Sequence, residues 1–455
     1  MKSRWGTSGV NINPAIFKAY DIRGIYPHEL NEDIACLIGR AFVEYLKPRM
    51  VALGRDMRLS SDALWKSLVQ GITEAGVDVV DLGLCTSDAL YFAVGEFGYD
   101  SGIMITASHN PKEYNGMKMC KKEAVPLSEK EGIEEIKKII LNGDFTTTKK
   151  KGIIRKRDIQ KDYIRHLLTF IQIEKIKPFK LVADAGNGIA GKVLPEIFSL
   201  LPCKLIPMFF ELDGSFPNHI PDPLVPENLT PLKQEILADK ADLGVAFDGD
   251  ADRIFLVDEK ACPLGGDIVT ALVAKNLLKK EKGATILYNV PCSRAVPETI
   301  VNNGGEAIRT SVGHALIKPL MRKYNAIFGG EHSGHFYFRR NYFADSGLIA
   351  LLVCLELISE ENQPLSALVD SIDAYFRSGE INSRVDDIPD KLKQIEKHFS
   401  GGKIDHLDGL TIDFDQWWFN LRPSNTEPLL RLNVEATSKD ILQKKTDELL
   451  KLIRD

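Results

Sequence analysis

Three times in this chain a short apolar run feeds a helix-like stretch and then a second apolar run. That recurrence limits the possible fold more than any other feature. The first unit begins at Val51, ends its strand at Gly54-Arg55-Asp56, runs as a helix from Ser60 to about Glu74, and resumes as a strand from Val77 to Leu82. The second opens on Lys180-Leu181-Val182-Ala183, passes through Asp184-Ala185-Gly186-Asn187-Gly188 into a helix ending at Phe198, and returns near Leu205-Ile206. The third leads from Ala284-Thr285-Ile286-Leu287-Tyr288, through a helix from about Val296 to Asn302, to Glu306-Ala307-Ile308-Arg309. Strands alternating with helices predict α/β layers, because each apolar strand face needs a helix to cover it. Spacings above a hundred residues predict three such domains, either repeated or built independently from a common unit.

The last segment reads differently. After the apolar helix-like run Leu348 to Ile358, strand-like alternation appears around Ile404, from Leu410 to Phe414, from Trp417 to Arg422 and from Leu429 to Val434, before a charged helix from Ser438 to Arg454. Strands closed by a helix predict a smaller α+β domain. The 455 residues, 44% of them apolar, can supply four separate cores. Charged stretches place the expected boundaries at residues 1–152, 153–258, 259–370 and 371–455.

A net charge of −5 gives no whole-molecule basic field, so neither nucleic acid nor an anionic membrane is an expected partner. An anionic ligand must be met locally. The seven cysteines are scattered and form no C-x-x-C pair, which excludes a disulfide framework or a cysteine zinc site as the organising device and fits a reducing cytoplasm. The N-terminus lacks an apolar signal region, and no apolar run is long enough to cross a bilayer.

Four polar stretches interrupt the apolar pattern. Ile103-Met104-Ile105 gives way at Thr106 to Ala107-Ser108-His109-Asn110-Pro111, which puts Ser108 on a loop after a buried strand, either as a nucleophile or in an ordinary Asn-Pro turn. Asp248-Gly249-Asp250-Ala251-Asp252-Arg253 sets three carboxylates at alternate positions between two apolar strands, a pattern that fits a hard divalent cation such as Mg²⁺ or Ca²⁺ better than a solvated acidic turn. An EF-hand fails there, because Arg253 occupies the position at which that loop needs glycine. Gly330-Glu331-His332-Ser333-Gly334-His335 offers Glu331, Ser333 and His335 to sugar hydroxyls, and the two histidines lack a clear third partner for zinc. Arg422-Pro423-Ser424-Asn425-Thr426-Glu427-Pro428 combines a guanidinium fork with short hydroxyl and amide donors, as an anion cradle or a polar hairpin connection.

Together with Lys18-Ala19-Tyr20-Asp21-Ile22-Arg23-Gly24, these stretches in this order resemble the α-D-phosphohexomutase family, in its phosphomannomutase/phosphoglucomutase branch, over essentially the whole chain. The resemblance implies three similar α/β domains with mixed sheets and a smaller C-terminal α+β domain around a central cleft. It implies reversible isomerisation of hexose 1-phosphate and hexose 6-phosphate through phosphorylated Ser108 and a hexose 1,6-bisphosphate, which also serves as activator. Mg²⁺ would sit on Ser108, Asp248, Asp250 and Asp252. His109, Lys118, Arg23, Arg253 and His314 would surround the chemistry; Tyr20, Glu331, Ser333, His335, Arg422, Ser424, Asn425, Thr426 and Arg431 would bind substrate. A cytoplasmic monomer or weak homodimer is expected.

Val290-Pro291-Cys292-Ser293 stands where some members carry a lysine partner for the histidine matching His314, so His314 either acts alone or positions substrate. His332 stands where glucosamine-phosphate mutases usually carry glutamine, which favours mannose or glucose as the hexose. The alternatives are a phosphoglucosamine mutase, a metal-dependent sugar phosphatase, and a non-catalytic sugar-phosphate-binding protein.

Overall fold

Strand Ser101–Ile105 is buried at every position, which is the burial expected of a strand covered on both faces and explains its apolar run Ile103-Met104-Ile105. It pairs in parallel with Met50–Arg55 and antiparallel with Tyr114–Lys121. Asp78–Leu84 and Ile154–Lys156 extend the parallel side, while Ile22–Ile25 closes the antiparallel edge. The sheet is therefore mixed, as expected. The computed structural model describes residues 12–143, 145–146, 148–423 and 429–455. It divides into two compact units, the first comprising the chain through Leu264 plus Ser333–Ser366, the second Gly265–His332 plus Ala367–Asp455.

In the first unit, helices Glu32–Leu46 and Ser61–Glu74 pack against the first sheet around Ile38, Phe42, Leu68 and Ile72. Asn31 caps the first helix by accepting from the Ile34 amide, and Glu32 and Asp33 suit its positive end. The two helices cross so closely that a Cβ on Gly71 would lie 2.1 Å from the Cys36 carbonyl oxygen. The second sheet runs in the order Ile254–Asp258, Leu243–Phe247, Lys180–Asp184, Lys204–Met208, its first pair antiparallel and the others parallel. Both strands of that hairpin are buried throughout, so the aspartates between them are held inside the protein.

Residues 333–366, assigned from sequence to the third domain, pack with the first unit. They contribute helix Gly347–Glu361, which is apolar on nearly every side because it is buried on nearly every side, and which Ser346 caps at the Ile349 amide. Ser346 also donates to the buried Asp88, as does Thr86. Burial pushes the Asp88 carboxyl up to about 6 against its hydrogen bonds. An acid whose pKa rises on folding binds more protons in the native state, so it makes stability fall as pH rises from about 4 to about 6, on the order of 3 kcal/mol in all. Asp88→Asn removes this dependence. Melting curves across that range should show native stability falling relative to the variant, and parallel curves would contradict the assignment.

The second unit carries a parallel set, Glu306–Thr310, Thr285–Asn289 and Phe328–Gly330. It also carries an antiparallel sheet, in which Leu429–Ala436 pairs with Phe376–Arg377, Ile381–Arg384 and Trp417–Pro423, followed by Leu410–Phe414 and Lys403–Asp405. Phe419, Leu432, Val434 and Leu449 form the core under that sheet and helix Lys439–Arg454. The expected strand-helix-strand units and the C-terminal α+β segment are all present. No helix among the described residues is long and apolar enough to cross a membrane.

Candidate active site

Ser108 sits three residues beyond the end of strand Ser101–Ile105, where its amide donates to Thr106 Oγ1 at 2.9 Å. Its φ of 49° lies in the left-handed region, uncommon for a residue with a Cβ and a frequent mark of functional loops. The side chain points inward: Oγ donates to Asp248 Oδ2 at 2.5 Å, with Arg253 Nη2 at 3.3 Å and His109 Nδ1 at 3.2 Å. Gly249 allows this approach, since a Cβ there would stand 2.6 Å from the Ser108 carbonyl oxygen. Burial, Arg253 and Arg23 hold the His109 imidazole well below its ordinary pKa, so it is neutral near pH 7.

Asp248, Asp250 and Asp252 are buried with carboxylate oxygens within 4.8 Å of one another. Two cations face these three carboxylates: Arg253 Nε donates to Asp248 Oδ2 at 3.0 Å, and Lys118 Nζ donates to Asp250 at 2.6 Å and to Asp252. Strand pairing delivers Lys118, which lies opposite Met104 four residues before Ser108. Burial and the neighbouring Asp252 push the Asp248 carboxyl well above its ordinary range. Burial acts the same way on Asp250 and Asp252, but contact with Lys118 holds both below it. Among the described residues, Asp250 Oδ1 and Asp252 Oδ1 are buried without a hydrogen-bond partner. Oxygen donors left over in a buried acidic cluster are what a hard divalent cation takes.

Arg23, on the edge strand opposite Gly116, donates to Asp21 and Asn110 and so borders the Ser108 loop. Tyr20 lies half-buried just before that strand. His335 Nδ1 is 3.0 Å from Ser333 Oγ, and its Nε2 is 4.0 Å from Asp252 Oδ1. The first unit thus brings together Ser108, His109, Lys118, Arg23, Arg253, Ser333, His335 and the three aspartates.

In the second unit, Glu331 Oε1 accepts from the Gly313 amide at 3.0 Å and from Asn289 Nδ2 at 3.3 Å. His314 opens helix His314–Lys323, and its side chain lies outside the described part of the chain. Ser424, Asn425 and Thr426 also lie outside the described residues. Arg422 and Arg431 stand directly opposite each other on paired strands, and Glu380 bridges them at 3.1 and 3.4 Å. Like charges in such register repel unless an anion lies between them. Among the described residues, the Nε donors of both arginines are buried without a hydrogen-bond partner. Arg422→Ala should raise KM for a hexose monophosphate by about ten- to a hundredfold, the value of one or two charged hydrogen bonds. Steady-state kinetics checks this, and an unchanged KM would remove Arg422 from the site.

Sequence reasoning missed several participants. Ser87 begins helix Ser87–Glu96 and donates to Asp250 Oδ2, a contact that nothing in the surrounding sequence announces. Glu380 lies in a polar stretch without a motif.

Models of the phosphoglucomutase/phosphomannomutase family match the chain in four consecutive pieces: alpha/beta/alpha domain I at residues 14–147, domain II at 161–265, domain III at 265–375 and the C-terminal domain at 380–452. The chain belongs to the phosphoglucomutase/phosphomannomutase family. It is 42% identical to a phosphomannomutase of Salmonella montevideo, with 97% of this chain and 99% of the relative covered. It is 39% identical to a protein named phosphohexose mutases from Xanthomonas campestris, over 96% and 99% of the two chains. The crystal structure of a phosphoglucomutase/phosphomannomutase family protein from Burkholderia thailandensis superimposes with a TM-score of 0.90 at 35% identity, covering 97% of each chain. Three α/β domains and a C-terminal domain are therefore the family architecture and the architecture of this chain.

Proposed function

We propose that this family member isomerises hexose 1-phosphate and hexose 6-phosphate, with mannose or glucose as the hexose, by carrying a phosphoryl group on Ser108. The observation that carries the proposal is Ser108 Oγ at 2.5 Å from Asp248 inside a buried cluster of three carboxylates, Lys118 and Arg253. The cluster suits a group that holds phosphate, because phosphoryl transfer depends on placement and charge neutralisation. Mg²⁺ would be held by Asp248, Asp250, Asp252 and a phosphoryl oxygen on Ser108, where it would neutralise charge on the transferring group.

The chain's own residues supply the rest. Arg422 and Arg431, with Ser424, Asn425 and Thr426, bind the phosphate the substrate already carries; Glu331, Ser333, His335 and Tyr20 bind the sugar. The free sugar hydroxyl then attacks phosphorus. A sugar oxygen–phosphorus bond forms, the Ser108 Oγ–phosphorus bond breaks, and the hydroxyl proton is passed through basic groups of the chain to Ser108 Oγ. Arg253 and Lys118 steady the charge, and neutral His109 can accept a hydrogen bond from the freed hydroxyl. The bisphosphate turns end over end and returns its other phosphoryl to Ser108 by the reverse step. His314 contributes as an acid/base or positioning group in the sugar region.

A coupled assay tests the function. With Mg²⁺ and a hexose 1,6-bisphosphate primer, mannose 1-phosphate and glucose 1-phosphate should yield the 6-phosphates without stoichiometric release of free phosphate. Accumulation of free phosphate would identify a phosphatase. Faster turnover of glucosamine 1-phosphate would identify a hexosamine enzyme.

A further inference from the structure

Arg58 is fully buried three residues beyond the strand Met50–Arg55, and its guanidinium is spent on the backbone of residues 108–114. Nη1 donates to the carbonyl oxygens of Pro111 at 2.8 Å and Tyr114 at 2.9 Å; Nη2 donates to those of Ser108 at 2.8 Å and Asn110 at 2.6 Å. Asp56 orients the fork, with Oδ2 at 3.3 Å from Nε and Oδ1 accepting the Arg58 amide at 3.0 Å, and the Phe216 ring covers the guanidinium at 5.0 Å. The Ser108 carbonyl is thus fixed between Arg58 and the close face of Gly249.

We infer that Arg58 is a positioning residue for phosphoryl transfer, setting the aim of Ser108 Oγ by gathering four carbonyls of its loop onto one guanidinium. The inference rests on the proposed role of Ser108. Ser108 holds a left-handed φ that relaxes readily to other conformations once its carbonyl is released, and a rotation there swings Oγ away from Asp248 and Arg253. A misplacement of about 1 Å at a reacting atom costs about a hundredfold in rate. Lysine cannot replace the fork, since one ammonium nitrogen cannot reach four carbonyls in two directions. Among the described residues the Arg58 fork donates only to backbone carbonyls of residues 108–114, so the loss should fall on kcat.

The full-length protein carries the test. Arg58→Ala should lower kcat about a hundredfold while KM changes less than about threefold. Guanidinium ion at a non-denaturing concentration should restore kcat at least about tenfold, and methylammonium at equal ionic strength should not. Should Arg58→Ala not accumulate folded, Arg58→Lys, which keeps a charge beside Asp56, takes its place with an expected loss of at least about tenfold in kcat. A smaller loss in the folded variant, a proportionate rise in KM, or equal rescue by both cations overturns the inference. Amide exchange reads the placement without any reaction: Arg58→Lys should speed exchange across residues 106–114 at least about tenfold and across 248–253 less than about threefold. Unchanged exchange at 106–114 overturns the positioning role even where the native protein fails to isomerise hexose phosphates, a failure that would count against the proposed function instead.

Discussion

Ser108→Ala should abolish mutase turnover, lowering it by at least about four orders of magnitude, because the substitution removes the only atom proposed to hold the phosphoryl group between the two transfers. Other side chains around the cluster cannot take its place. Asp248 is tied to Arg253, Asp250 and Asp252 to Lys118, and His109 sits to one side of Oγ. The loss should not come from unfolding. Removing one hydroxyl leaves the Ser108 amide and carbonyl bonds in place and takes a hydrogen bond from an acidic cluster that retains its cations. The variant should still bind hexose monophosphate, and its melting temperature should stay within a few degrees of native, at about 1 kcal/mol for one hydrogen bond. Coupled kinetics and equilibrium binding separate the two effects. Turnover near the native rate by the alanine variant would sink the assignment.

Removing divalent cations, or substituting Asp250→Asn, should lower kcat by at least about a hundredfold, since stabilisation of a transferring phosphoryl group is mainly electrostatic. Lys118 Nζ donates to Asp250 and Asp252, so it competes with a cation for those two carboxylates. Burial and Asp252 raise the Asp248 carboxyl well above its ordinary range, so protons compete with a cation there. Apparent cation affinity should therefore rise with pH. A cation that binds only the folded cluster stabilises by about 2.7 kcal/mol at a hundredfold excess over Kd, which a melting curve reports directly. Titration calorimetry at two pH values checks the sign. An affinity that falls as pH rises would contradict the arrangement of charges described for this cluster.

Much of this was legible in the sequence because the chemistry is local. The Asp248–Asp252 spacing, the break in apolar sequence at Thr106 and the strand-helix-strand units each sit within a short stretch, where hydrophobic period and charge pattern speak directly. What was not legible depends on pairings distant in sequence. Lys118 reaches the aspartates because Tyr114–Lys121 folds back antiparallel on the Ser108 strand, and no local pattern encodes that register. Arg58, Ser87 and Glu380 read as ordinary polar residues. Their roles arise from the Ser108 loop, Asp250 and the paired strands Trp417–Pro423 and Leu429–Ala436, each distant in the chain. The grouping of residues 333–366 with the first unit is of the same kind, since it follows from which surfaces helix Gly347–Glu361 covers.

Peptide-resolved mass spectrometry of the native protein tests the central claim most directly. After incubation with Mg²⁺ and a hexose 1,6-bisphosphate, the peptide containing Ser108 should gain one phosphoryl group. On addition of excess hexose monophosphate it should lose that group, with bisphosphate appearing in equal amount. A protein that interconverts hexose phosphates while Ser108 never carries phosphate would contradict the account.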